Sequence, residues 1–217
     1  MDPLRTRVKA AAIANLTDAR YFAALGVDYL GFALEPGAIG HVGPEQVKGL
    51  REWVEGPALV GEFGHAPTEE IARQAAALRL DVVQVGPFGK TRDAAAATGL
   101  PVLHEIVLGA DVGPAEAQRL IDGSARDTRA FVLDFSRNGL HWDGLREEPT
   151  WVAWLAEACA DYAVLLDVPA APHQLAELLA TFSPEGLQLT GGDEEAVGVK
   201  SFDELDEWFD VLRVEEG

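Results

Sequence analysis

Carboxylates recur at the ends of apolar runs along this chain. Asp134 closes Phe131-Val132-Leu133, Asp167 closes Val164-Leu165-Leu166, and Glu62 stands near the end of Ala58–Phe63. Two carboxylates held close together repel, which separates their pKa values and makes an acid of one and a base of the other. Capping a following helix, or meeting a lysine, is the other use of the same residues. Thr190-Gly191-Gly192 follows the last apolar run. A glycine pair there either presents backbone N–H groups to an anion such as phosphate or makes a tight turn. His41, His65, His104, His141 and His173 share no His-x-x-x-His spacing, so no metal pattern is read from them. A divalent-metal site built from Asp134, Asp167, Glu62 and His104 is the remaining metal alternative. No cofactor is called for.

These residues need elements to aim them. Eight apolar runs of strand length recur: Val8–Ile13, Tyr29–Ala33, Ala58–Phe63, Val82–Val85, Val102–Val107, Ala130–Asp134, Ala163–Val168 and Gly186–Thr190. Their spacing is that of βα units, and their near-continuous apolar character suits parallel strands covered on both faces. The intervening segments carry helix signals: Thr17 as a cap, Gly26 and Gly99 as stops, Pro44 at a first helical position, and Ser201 with Glu204 as a capping box. Cys159 falls in the helical run Trp151–Ala160 and reads as a small buried hydrophobe. The predicted fold is α/β, a single (β/α)8 TIM barrel over residues 1–217. A doubly wound open sheet is the competitor, but no dinucleotide-type glycine fingerprint follows the first strand.

In a barrel the working groups sit at the C-terminal strand ends and in the loops beyond them. In order these are Ala11, Glu35, Glu62, Gln84, His104 with Glu105, Asp134, Asp167 and Thr190. If Val132 and Leu165 point into the barrel, alternation points Asp134 and Asp167 inward too. Ala11, Gln84 and His104 are then expected to line the pocket.

Composition limits the partners. Asp+Glu number 36 against 17 Lys+Arg, a formal charge of −19 in 217 residues. Such a field repels phosphate backbones and anionic lipids, which argues against nucleic acid or a membrane surface as partner. A hydrophobic fraction of 48% is enough for a substantial core. No run approaches the roughly 20 apolar residues of a membrane span, and Met1–Lys9 lacks a signal-peptide layout. A single cysteine excludes an internal disulfide. The expectation is a soluble cytoplasmic protein, monomer or homodimer, taking a small-molecule ligand at the barrel mouth.

Several segments, in order, are similar to phosphoribosylanthranilate isomerase, a (β/α)8 enzyme family of tryptophan biosynthesis. They are Val8-Lys9-Ala10-Ala11-Ala12-Ile13, Thr17-Asp18-Ala19, Leu25-Gly26-Val27-Asp28-Tyr29-Leu30-Gly31-Phe32, Val42-Gly43-Pro44-Glu45-Gln46, Val60-Gly61-Glu62-Phe63, Asp81-Val82-Val83-Gln84-Val85, Val132-Leu133-Asp134, His141-Trp142 and Gly198-Val199-Lys200. The resemblance implies an Amadori rearrangement with a cysteine base at the end of strand one, an aspartate acid at the end of strand six (Asp134 here) and phosphate held by glycine-rich loops. The departures fall on that machinery. Ala11 stands at the cysteine position, Gly40 at an expected arginine and Gly86 at an expected histidine. The loop after strand six is shortened, and Asp167-Val168-Pro169 replaces a Gly-Gly phosphate turn. Pro169 also removes an amide donor. The expectation is an isomerase-like barrel whose native reaction is lost or strongly weakened, the scaffold being kept for binding a small molecule or a partner. The alternative is an active isomerase with Asp134 as acid and Glu62 or Asp167 as substitute base.

Overall fold

A computed structural model describes residues 3–109, 111–190, 194–196, 199–200 and 202–213. Its strands are β1 (Arg7–Ala11), β2 (Tyr29–Ala33), β3 (Ala58–Phe63), β4 (Val82–Val85), β5 (Val102–Val107), β6 (Ala130–Asp134), β7 (Val164–Asp167) and β8 (Gly186–Thr190). They pair in parallel in sequence order, and β8 returns to β1, closing the ring. This is the (β/α)8 barrel; the open sheet is excluded by the β1–β8 ladder.

Helices α1 (Leu16–Leu25), α2 (Pro44–Arg51), α3 (Thr68–Leu78), α4 (Thr91–Thr98), α5 (Pro114–Ser124), α6 (Trp142–Leu145), α7 (Pro149–Asp161), α8 (Leu175–Phe182) and α9 (Asp203–Leu212) follow the strands. A short antiparallel pair, β9 (Glu194–Ala196) with β10 (Val199–Lys200), precedes α9. The helix punctuation holds at Gly26 and Gly99, both left-handed caps, and at Pro44, which opens α2. At α1 the cap is Asn15, whose side chain accepts from the Asp18 N–H at 2.9 Å, while Thr17 lies inside the helix. Ser201 lies outside the described residues, and Phe202 occupies the N-cap of α9 without a side-chain cap bond. Cys159 is buried in α7, and desolvation pushes its thiol up to about 12, which leaves it inert.

Two apolar layers hold the barrel. Inside the ring, Val60, Val82, Leu103, Ala130, Val132 and Leu165 form a plug of their own. Outside it, the opposite strand faces pack on the helices; Phe22 of α1, fully buried, lies near Phe209 of α9, ring centroids 6.3 Å apart, so the last helix docks beside the first. Burying side chains of this size is worth roughly 1.5–3 kcal/mol each. Because Val132 and Leu165 belong to the inner plug, the alternation beyond them is settled. Asp134 and Asp167 emerge on the inner side of adjacent strands, directly opposite in register.

Strand β1 ends at Ala11 rather than at Ile13. Ala12 turns into the left-handed region (φ 51°), which a small residue tolerates at modest cost, and ends the extended run.

Candidate functional site

Above the plug the strand ends enclose a cavity of about 550 Å³, the size of a small-molecule site. Ala11, Glu62, Gln84, Asp134, Asp167 and Thr190 all line it. Gly191 and Gly192 lie outside the described residues. His104 does not line the bowl. It is paired with Val85 and Phe131, whose side chains belong to the outer layer. It therefore faces outward, with Nδ1 2.8 Å from Ser124 Oγ and its ring against Phe131. Burial lowers its pKa, consistent with a neutral histidine packed in the wall. The neighbour in sequence, Glu105, takes the inward side.

The floor is an ion pair. Lys9, on the inner side of β1, is fully buried; its ammonium bonds to Glu62 Oε1 and donates to Gln188 Oε1 at 2.7 Å. Gly31 makes the space: a Cβ there would overlap the Glu62 carboxylate. Glu62 Oε2 accepts the Ala12 N–H at 3.1 Å, which puts this carboxylate at the end of β1, beside Ala11. Gln188 passes the chain on, donating from Nε2 to Asp167 Oδ2 at 2.8 Å. Desolvation, then repulsion from Asp134, pushes Asp167 up to about 6 despite that bond.

The opposite wall is organised by Arg137, from the loop after β6. Its Nε lies 3.1 Å from Asp134 Oδ2 and its Nη2 2.8 Å from Glu105 Oε1, a guanidinium spanning two carboxylates. Asp134 Oδ1 also accepts from Ser136 Oγ and from the Arg137 N–H, each at 2.9 Å. Both Asp134 oxygens are thus occupied as acceptors. Glu105 is pushed up to about 7, by burial first, with Arg137 opposing.

Lys9, Gln188 and Arg137 were not picked out as site residues from sequence. The first two carried a signal: Lys9 interrupts an apolar strand two residues before Ala11, and Gln188 two before Thr190, so each shares the inward face. Arg137 sits in a loop without periodicity and carried none. At the rim, Glu35 Oε2 accepts the His65 N–H at 2.7 Å, and the exposed Phe88 ring lies against His65.

The altered positions have also closed up. A Cβ on Gly86 would come within 2.9 Å of the Gly64 carbonyl oxygen, and Gly40 turns against Ala12. A side chain at Gly86 therefore needs backbone movement, and one at Gly40 would be strained by its left-handed backbone, φ +71°. Past β7 the Pro169 carbonyl accepts the Trp142 N–H at 2.9 Å. The four-residue metal set fails at His104, and among the described residues no group of three or more His, Cys, Asp and Glu is arranged to hold a metal ion. Among the described residues, no helix is long and apolar enough to cross a membrane.

The family model described as N-(5'phosphoribosyl)anthranilate (PRA) isomerase matches residues 8–211. The isomerase of that name from Deinococcus radiodurans is 29% identical over 216 residues, covering 96% of this chain and 97% of its own. The crystal structure of phosphoribosyl anthranilate isomerase from Thermus thermophilus superposes with a TM-score of 0.75 at 31% identity, over 95% of this chain and 98% of that one. The Thermotoga maritima enzyme, at 18% identity and a TM-score of 0.77 over the same shares, agrees in fold.

Proposed function

The chain belongs to the phosphoribosylanthranilate isomerase family, barrels of tryptophan biosynthesis, and on that premise we propose that its isomerisation is lost or strongly weakened, the mouth serving instead to bind a neutral or cationic small molecule. One observation carries this reading. Among the described residues the cations of the bowl are already taken: Lys9 by Glu62 and Gln188, Arg137 by Asp134 and Glu105. A sugar-phosphate dianion would have to draw a cation away from buried carboxylates, and a carboxylate stripped of its partner in a low-dielectric site costs several kcal/mol. Asp167 adds like charge where the family places a phosphate turn. Ala11 offers no proton-abstracting group. General acid–base catalysis contributes roughly 10² to 10⁴ per group, so loss of the base and of the anion grip together removes most of an isomerase's rate. Turnover of freshly prepared phosphoribosylanthranilate tests it. We expect a kcat/KM far below about 10⁴ M⁻¹s⁻¹, and a value at or above that level overturns the proposal.

A second reading keeps the ancestral reaction, with Asp134 as acid, Glu62 or Asp167 as base, and phosphate on Thr190-Gly191-Gly192. The contact that favours it is the Ala12 N–H to Glu62 Oε2, which sets a carboxylate beside the cysteine position. It requires the chain to rescue a tryptophan auxotroph lacking the isomerase and Asp134→Asn to abolish that rescue.

A further inference from the structure

Gln84 is only 4% exposed, lies on the inner side of β4 and lines the bowl. Its Nε2 faces Glu105 Oε1 at 3.5 Å, and among the described residues its Oε1 has no hydrogen-bond partner. A carboxylate oxygen attracts the amide's nitrogen, so the orphaned atom is an acceptor. Buried polar atoms in folded proteins are nearly always satisfied, and this one is left to accept from water or from a ligand that enters the bowl. The surrounding groups ask for the same thing. Glu62, Asp134 and Asp167 line the cavity as further acceptors, with Glu35 at the rim. Arg137 and the buried Lys9 are engaged, as described. Among the described residues lining the cavity, carboxylates and the Gln84 oxygen dominate the inner wall, with the exposed His65 and Thr190 at the rim.

Resting on the reading that the mouth no longer serves an ester dianion, we propose that the bowl binds a small organic cation bearing N–H donors, a primary ammonium or a guanidinium, donating to Gln84 Oε1 and the Glu105 carboxylate. Such a ligand meets the acceptor and the charge together. A quaternary ammonium meets only the charge, and a phosphate meets neither. Glu105 and Asp167 titrate near the physiological range because burial and the neighbouring carboxylates raise them, against the pull of Lys9 and of Arg137 (for Glu105) or the Gln188 bond (for Asp167). A cation favours their ionised forms, so binding strengthens with pH and releases protons.

The test is isothermal titration calorimetry on the full chain with agmatine, which carries both donor groups. Tetramethylammonium at matched ionic strength and ribose 5-phosphate are the comparisons. Expected are saturable agmatine binding at pH 8, weakened about tenfold at pH 5.5, and weakened about tenfold in Gln84→Leu. Absence of saturable binding at pH 8 overturns the proposal, as does equal competition by tetramethylammonium. Undiminished affinity in a Gln84→Leu variant with an intact melting transition does so too. Should that variant not fold, the two comparisons on the unaltered chain decide. The readings separate cleanly: ribose 5-phosphate binding together with isomerase turnover overturns the underlying one, whereas no turnover and no agmatine binding overturns this one alone.

Discussion

Two clusters in one bowl use the same parts, a cation between acceptors, and differ in burial. Lys9 is sealed beneath the floor at 0% side-chain exposure, whereas Arg137 reaches over the wall at 59%. An ammonium with no access to water must keep its partners, because an isolated buried charge is costly. A guanidinium in contact with solvent keeps water as a partner wherever it moves, so the cost of its leaving falls on the two buried carboxylates it spans, not on the cation. The β1–β3–β8 side is therefore built as structure, and the β5–β6 side as the part that can respond to a ligand.

Breaking the floor pair should have the largest effect. Lys9→Met leaves Glu62 uncompensated and is expected to cost about 3–5 kcal/mol of unfolding free energy, while Lys9→Met with Glu62→Leu should recover most of it, since apolar replacement of a buried pair is often near neutral. Denaturant melts of the three chains check this; a single-variant loss below about 1 kcal/mol would erase the contrast between the clusters. Arg137→Ala should cost less, about 1–2 kcal/mol, and carry a signature that a packing loss lacks. Arg137 holds Glu105 down, so its removal raises Glu105 further above about 7, visible in carboxyl chemical shifts during a pH titration. An unmoved Glu105 would mean that the guanidinium does not govern that wall.

The smallest effect is on the pH dependence of stability. Asp167 rises from 3.8 to about 6 and Glu105 from 4.5 to about 7, so between roughly pH 4 and 7 the folded chain holds protons that the unfolded chain has released. More protons bound when folded means that these two groups lower stability as pH rises through that window. Asp167→Asn and Glu105→Gln should each flatten the decline in melts taken from pH 4 to 7.5; slopes parallel to the parent's would contradict the assignment.

Much of the barrel was legible from residue order. Six of the eight apolar runs begin and end where their strands do, and the helix stops at Gly26 and Gly99 fall in place, because backbone preferences act over a few residues. The first apolar run extends past its strand, since nothing local announces that Ala12 turns left-handed. Thr17 precedes the apolar stripe and suits a cap by type, but Asn15 holds the role through its bond to the Asp18 N–H. His104 and Glu105 are adjacent at one strand end, and the pleat sends them to opposite faces, one into the wall and one into the bowl.

The residue order alone determined that carboxylates would face inward at the ends of β6 and β7 and that Ala11 would offer no thiol, because alternation and side-chain identity are properties of the strand itself. Which charges meet was decided only by closure of the ring. Lys9 reaches Gln188 across 179 positions of chain and Glu62 across 53, through strand registers that exist only once β8 lies against β1 and Gly31 has made room at the floor. Electrostatic partnership depends on distance in space, which the covalent chain does not encode until its strands are in register. That is why the cations of this bowl proved to be taken, and the Gln84 oxygen unmet, only in the folded molecule.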